Sequence, residues 1–231
     1  MTASADPALL RGRHVAPSIL SADFARLGSQ VEQVMQAGAR IIHVDVMDGH
    51  FVPPITMGPL AVEALADQVH GAGGILDVHL MIEQPERQIA AFAGAGADNI
   101  TVHVEATAHL HRALELIHEA GCTAGAAVCP ATPADVLSEV AEDSLELALC
   151  MSVNPGWGGQ QFIGASLDKL ARMRAALPEH VALEVDGGIH EDTAEPSARA
   201  GANLLVAGSA VFGSEDPAAT YSAIAARAGA R

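Results

Sequence analysis

Two imidazoles and two carboxylates, spread over three short apolar runs, are the side chains of this sequence best suited to hold a divalent metal ion. His43 and Asp45 lie in Ile41-Ile42-His43-Val44-Asp45-Val46-Met47-Asp48-Gly49, His79 in Ile75-Leu76-Asp77-Val78-His79-Leu80-Met81, and Asp186 in Val181-Ala182-Leu183-Glu184-Val185-Asp186-Gly187-Gly188. Side chains alternate across a strand, so His43, Asp45 and Met47 project together while Val44 and Val46 face away, and His79 shares a face with Met81. Any one of the four alone reads as a hydrogen-bonded core histidine or a helix-capping aspartate. Together, on inward faces of otherwise apolar strands, they are costly to bury unless paired or metal-bound. Zn²⁺, Fe²⁺, Mn²⁺ and Co²⁺ all suit a mixed imidazole and carboxylate set, so one divalent ion is expected and its identity stays open. His103 and Glu105, in Thr101-Val102-His103-Val104-Glu105, repeat the alternation without a matching partner, and read as groups around the site, on its substrate side, or as ordinary structure. Glu184 turns inward beside Asp186 and is expected to be paired or neutral.

The elements that must position these residues follow a strict rhythm. His14–Leu20 is the first apolar run, and Arg40–Met47, Ile75–Met81, Asn99–Val104, Thr123–Val128, Leu145–Val153, Val181–Asp186 and Leu204–Ala207 read as strands. Between and after them, Asp23–Ala37, Pro59–His70, Pro85–Ala95, Ala108–Ala120, Pro133–Val140, Ser166–Leu177, Asp192–Ala200 and Pro217–Ala228 read as helices, several opening with Pro in the first turn. Gly38, Gly96, Gly121 and Gly201 stand where helices stop. Strand-then-helix alternation implies a parallel sheet, and eight units favour a closed (β/α)₈ TIM barrel over an open doubly wound sheet, which the pattern alone leaves possible. In such a barrel the site lies at the C-terminal ends of the strands, where His43, Asp45, His79 and Asp186 fall.

With 231 residues, half of them hydrophobic, the chain is expected to form one domain over 1–231, with 1–13 as a flexible N-terminal extension. Cys122, Cys129 and Cys150 lack Cys-x-x-Cys spacing, which fits a reducing compartment, and with no export or membrane segment apparent the expected location is cytoplasmic. Twelve Lys and Arg against 28 Asp and Glu, a net charge of −16, argue against nucleic acid or an anionic membrane as partner. So acidic a chain must hold a phosphate with backbone N–H groups rather than basic side chains. Three glycine-rich turns could do so: Asn154-Pro155-Gly156-Trp157-Gly158-Gly159-Gln160, Gly187-Gly188 and Gly208-Ser209, each after a late strand.

Six motifs then make the chain resemble the ribulose-phosphate 3-epimerase family from about His14 to Phe212: Ala16-Pro17-Ser18-Ile19-Leu20-Ser21-Ala22-Asp23, His43 through Pro53, Asp77-Val78-His79-Leu80-Met81, Met151-Ser152-Val153-Asn154-Pro155-Gly156, Val185-Asp186-Gly187-Gly188 and Ala207-Gly208-Ser209-Ala210. The resemblance implies a (β/α)₈ barrel that interconverts D-ribulose 5-phosphate and D-xylulose 5-phosphate in the pentose phosphate pathway, with one divalent metal per subunit. It implies His43, Asp45, His79 and Asp186 as ligands, Asp45 and Asp186 as the acid/base pair, and Ser18 and His79 as substrate contacts. Gly156, Trp157, Gly158, Gly159, Asp186, Gly187, Gly188, Gly208 and Ser209 complete the substrate site. The chemistry agrees: inverting C3 of a 2-ketose through an enediolate needs two proton-transfer groups flanking that carbon. Met47, Met81 and Met151 at strand ends offer a pliable apolar cap, or ordinary core filling. The implied partner is a small ketose phosphate, and the barrel is expected to form a homo-oligomer. Pro54, Trp157 and Cys129 depart from the family pattern. They keep open a hexulose 6-phosphate epimerase, acting for example on D-allulose 6-phosphate, and less strongly a non-catalytic sugar-phosphate-binding barrel.

Overall fold

A computed structural model describes residues 7–230. Eight strands, β1 (His14–Pro17), β2 (Ile41–Met47), β3 (Ile75–Met81), β4 (Asn99–His103), β5 (Thr123–Val128), β6 (Leu147–Met151), β7 (Ala182–Asp186) and β8 (Leu204–Ala207), form one sheet in the order β1-β8-β7-β6-β5-β4-β3-β2. Every pairing is parallel and joins strands in sequence order apart from β1 with β8. A doubly wound sheet reverses its strand order at a switch point; this order never reverses, so the open alternative falls away. The two end strands meet at one isolated bridge, Ser18 to His43, leaving a nearly closed (β/α)₈ barrel.

The helices lie outside: α1 (Leu27–Gln36), α2 (Pro59–Gly71), α3 (Ile89–Gly94), α4 (Leu110–Glu119), α5 (Ser166–Ala176), α6 (Glu191–Arg199), the short α7 (Ser209–Phe212) and α8 (Pro217–Ala228). Two predicted helices begin instead as 3₁₀ turns, Phe24–Arg26 before α1 and Pro85–Arg87 before α3. A larger difference follows β5, where Pro133–Val140 yields only the 3₁₀ turn Ala134–Leu137. Leu137 and Ala141 are buried and Ala134 and Val140 pack against the core, but the backbone bonds here run from Ser138 N–H to Asp135 O and from Val140 N–H to Leu137 O, so the segment stays a run of tight turns instead of an α-helix. The expected flexible extension is corrected in part. Residues 1–6 lie outside the described residues, but Pro7–Arg11 is a 3₁₀ turn whose Leu10 is buried with Ile41, Ile75, Leu147 and Leu204, closing the lower end of the barrel. Among the described residues no helix is long and apolar enough to cross a membrane.

Inside the barrel, polarity changes with height in steps of two residues. Going up β2, the inward side chains are Ile41, His43, Asp45 and Met47; going up β3, they are Ile75, Asp77, His79 and Met81; β7 adds Ala182, Glu184 and Asp186. An apolar floor therefore supports a buried polar layer of His43, Asp77 and Glu184, then Asp45, His79 and Asp186, then methionines. The outward faces of the same strands, such as Val44, Val78 and Val185, pack under the helices in the main core.

Candidate active site

The upper ends of β2, β3 and β7 bring His43, Asp45, His79 and Asp186 together, and one potential ligand atom from each lies within 4.8 Å of the others. The register explains the meeting, since Asp45 stands beside His79 across β2 and β3 while Asp186 stands beside Met151 and Val206. Asp45 is the hub: its Oδ1 lies 3.1 Å from His79 Nδ1 and 3.3 Å from His43 Nε2, and its Oδ2 accepts from Ser18 Oγ at 2.5 Å. Asp186 Oδ2 lies 3.9 Å from His79 Nδ1. Its carboxylate is aimed by its own backbone, whose carbonyl accepts from Ser152 Oγ and from Ser152 N–H, each at 2.8 Å.

His43 is held from behind. Its Nδ1 donates to Asp77 Oδ2 at 2.7 Å, and Asp77 Oδ1 accepts from Asn99 Nδ2 at 2.7 Å. Its Nε2 is fully buried, near Asp45 but without a hydrogen-bond partner. Burial lowers the affinity of His43 for a proton, yet the carboxylates of Asp45 and Asp77 outweigh burial and raise its pKa well above the usual histidine value. The position therefore favours a cation, either the protonated imidazole or a metal ion taken up at Nε2. Two imidazoles and two carboxylates around one buried point fit a borderline divalent ion.

The two aspartates differ in charge. Burial opposes ionisation of Asp45, but the charge and hydrogen bonds of His43 and His79 prevail and hold it well below the usual carboxylate range. Burial, reinforced by the charge of Asp45, pushes Asp186 up to about 8. One site thus offers an ionised carboxylate and a protonated one. His79 is lowered to about 4, chiefly by burial. Glu184 answers the expectation of a neutral acid: burial and the nearby Asp77 raise it well above the usual glutamate value, and its oxygens have no hydrogen bond although His43 Nδ1 lies 3.5 Å away.

Above the ligands opens a pocket at the upper ends of the strands. It is lined by Ser18, Asp45, Met47, Met81, Met151, Gly156, Trp157, Gly158, Gly159, Asp186, Gly187, Gly188, Gly208 and Ser209, with Leu20, Ser21, Val153, Asn154, Pro155, Gln160, Ile189 and Val206, and no lysine or arginine is among them. His79 is fully buried and faces Asp45 rather than lining this space. Gly188 has φ +66°, and a Cβ there would come within 2.6 Å of the Phe162 backbone nitrogen, so the close packing of this turn admits only glycine. The methionines divide: Met47 and Met81 pack with Val52, Leu20 and Phe51 over the site, whereas Met151 belongs to the barrel interior. Sequence reasoning missed Asp77, Asn99 and Ser152. The first two carried a usable signal, the same two-residue alternation that selected His79 and His103.

A sequence model described as the ribulose-phosphate 3 epimerase family matches residues 14–212. A Bacillus subtilis (strain 168) protein named ribulose-phosphate 3-epimerase is 53% identical over 206 residues, covering 87% of this chain and 93% of the relative. An Escherichia coli (strain K12) protein of the same name is 48% identical over 205 residues, covering 87% and 90%. Among solved structures, KGPDC from Streptococcus mutans superposes with a TM-score of 0.72 at 15% identity, covering 94% of this chain and 97% of that one. A 3-hexulose-6-phosphate synthase superposes with a TM-score of 0.70 at 20% identity, covering 94% and 99%. At these identities the structural matches speak for the barrel alone.

Proposed function

The chain belongs to the ribulose-phosphate 3-epimerase family, and from that membership we infer that it is an enzyme interconverting D-ribulose 5-phosphate and D-xylulose 5-phosphate by proton transfer at C3. The observation that carries the mechanism is the placement of Asp45 and Asp186, from β2 and β7, in the lining of one pocket. The ionised Asp45 takes the C3 proton, and the protonated Asp186 delivers one to the opposite face; the reverse reaction exchanges the roles. Ser18 donates to Asp45 Oδ2 and fixes which oxygen is available. Ser152 keeps Asp186 aimed across the pocket. Met47, Met81 and Val52 close an apolar wall that keeps water from the carbanionic intermediate.

His43, Asp45, His79 and Asp186 would hold one divalent ion, and when bound it supplies a Lewis acid that draws off the negative charge developing on the substrate. The donor set accepts Zn²⁺, Fe²⁺, Mn²⁺ or Co²⁺. Phosphate falls to the backbone N–H groups of Gly156 to Gly159, Gly188, Gly208 and Ser209, which line the pocket. The hexulose phosphate and binding-only alternatives are not favoured, since the curated relatives carry the pentulose name and both proton-transfer carboxylates are in place. All three cysteines are free thiols, which supports a cytoplasmic setting, and a homo-oligomer remains part of the proposal.

Proton NMR of the protein with D-ribulose 5-phosphate in D₂O, before and after chelation and metal add-back, tests this reading. The expected outcome is chelator-sensitive formation of D-xylulose 5-phosphate deuterated at C3. Absence of C3 exchange in a metal-replete sample overturns it.

A further inference from the structure

The two candidate metal-binding histidines are supported differently from behind. His43 Nδ1 reaches a carboxylate directly, at Asp77. His79 reaches none on its far side; its Nε2 meets Nε2 of His103 at 2.9 Å, and His103 Nδ1 in turn meets Glu105 Oε2 at 3.1 Å. Both imidazoles are fully buried, so neither can turn to water for a partner. Two nitrogens at that distance must share one proton, one donating and the other accepting. A metal ion on the Asp45 side of His79 takes the Nδ1 lone pair, which puts the proton on Nε2. His103 Nε2 must then accept, and the proton of neutral His103 must sit on Nδ1, where Glu105 is placed to accept it. The three links admit only this direction.

Glu105 is itself fixed as an acceptor. Its Oε1 receives Cys129 N–H at 2.8 Å and the Thr132 hydroxyl, which leaves Oε2 for His103. Lys169 pins the same loop, donating to the carbonyls of Cys129 and Thr132, each at 2.7 Å. The face of His103 is covered by Phe51, with ring centroids 4.8 Å apart.

We propose that Glu105 and His103 are positioning residues that act through His79, a carboxylate–imidazole–imidazole relay that fixes the tautomer of His79 and thereby the affinity of the metal centre. The proposal rests on the metal site assigned above. It also gives the fourth-strand pair a purpose beyond packing. Glu105→Gln is the informative change. The amide oxygen stays with Cys129 N–H and Thr132, so the amide NH₂ faces His103 Nδ1 and donates to it. That reverses the proton on His103 and sets two N–H groups against each other at His79.

Zn²⁺ affinity of the full-length protein, measured by titration against a competing chelator, is expected to fall about 10–100-fold in Glu105→Gln. Long-range ¹H–¹⁵N correlation on the Zn²⁺-loaded wild type, which needs no variant to fold, is expected to show His79 protonated on Nε2 and His103 on Nδ1. A Glu105→Gln affinity within twofold of wild type, or the opposite tautomer at either histidine, overturns the relay while leaving the metal centre standing. Failure of the wild-type protein to bind Zn²⁺ removes the metal site itself and the relay with it. A merely structural Glu105 would lower the melting temperature and move neither readout.

Discussion

The barrel interior has two halves built on one backbone plan. On β2, β3, β4 and β7 the inward residues include His43, Asp45, Asp77, His79, Asn99, Thr101, His103 and Glu184, all buried. On β1, β5, β6 and β8 they include Ala16, Ala127, Leu147, Leu149, Met151, Leu204 and Val206, which share one apolar cluster with Ile41, Ile75 and Ala182 at the foot of the other strands. Strand pairing, the helices outside and the outward-facing core do not distinguish the halves. The difference lies in every second residue of a strand, so chemistry has been written into positions that the rest of the fold does not use. The apolar half stabilises, and the polar half, expensive to bury, is tolerated because of it.

The sharpest way to break this division is at the two aspartates. Asp45→Asn and Asp186→Asn should each lower C3 proton exchange by about 10²–10⁴-fold, the usual contribution of a positioned acid or base, with unchanged circular dichroism. Near-wild-type turnover in either variant would remove the two-base mechanism. Leu149, fully buried and in register with Glu184, stands where the halves meet. Leu149→Ala should cost about 2–5 kcal/mol in chemical denaturation while leaving activity per folded molecule within a few-fold of wild type. A large activity loss with little loss of stability would show that the halves are not separable. The smallest expected effect concerns Glu105. Burial opposes its ionisation, but hydrogen bonds from His103, Thr132 and Cys129 prevail and bring its pKa from the usual 4.5 down to about 2. A depressed carboxylate adds stability above its unfolded value and loses it as pH falls through its folded one. Between about pH 4.5 and 2, stability should therefore decline less steeply in Glu105→Gln than in wild type, and identical acid-denaturation limbs would exclude that contribution.

Much of this is legible in the residues. The eight strands stand where period-two apolar runs end in turns, and the four ligand candidates are selected by the same alternation that the register of β2 on β3 displays. Asp77 and Asn99 are within reach of that rule, applied one step below His79 on β3 and two steps below His103 on β4. Ser152 is not, because it acts on backbone carbonyls, and a side chain bonded to main chain leaves no pattern in a sequence. The helix expected after β5 is suggested by Pro133 and by the apolar spacing of Leu137, Val140 and Ala141, but a single 3₁₀ turn with tight turns after it packs the same residues against the core, so the apolar pattern alone does not distinguish the two. The buried Leu10 is obscured for a related reason: a single apolar residue in a short polar stretch has no period.

The ring of strands is stitched shut at one place, where Ser18 meets His43 and hands its hydroxyl proton toward Asp45. The clasp of the barrel and the chemical centre therefore share residues, Ser18 and His43, the clasp through their backbone and the centre through their side chains. Joining the first strand to the second is thus also what brings the Ser18 hydroxyl onto Asp45. Selection for catalysis at this seam is also selection for a finished molecule.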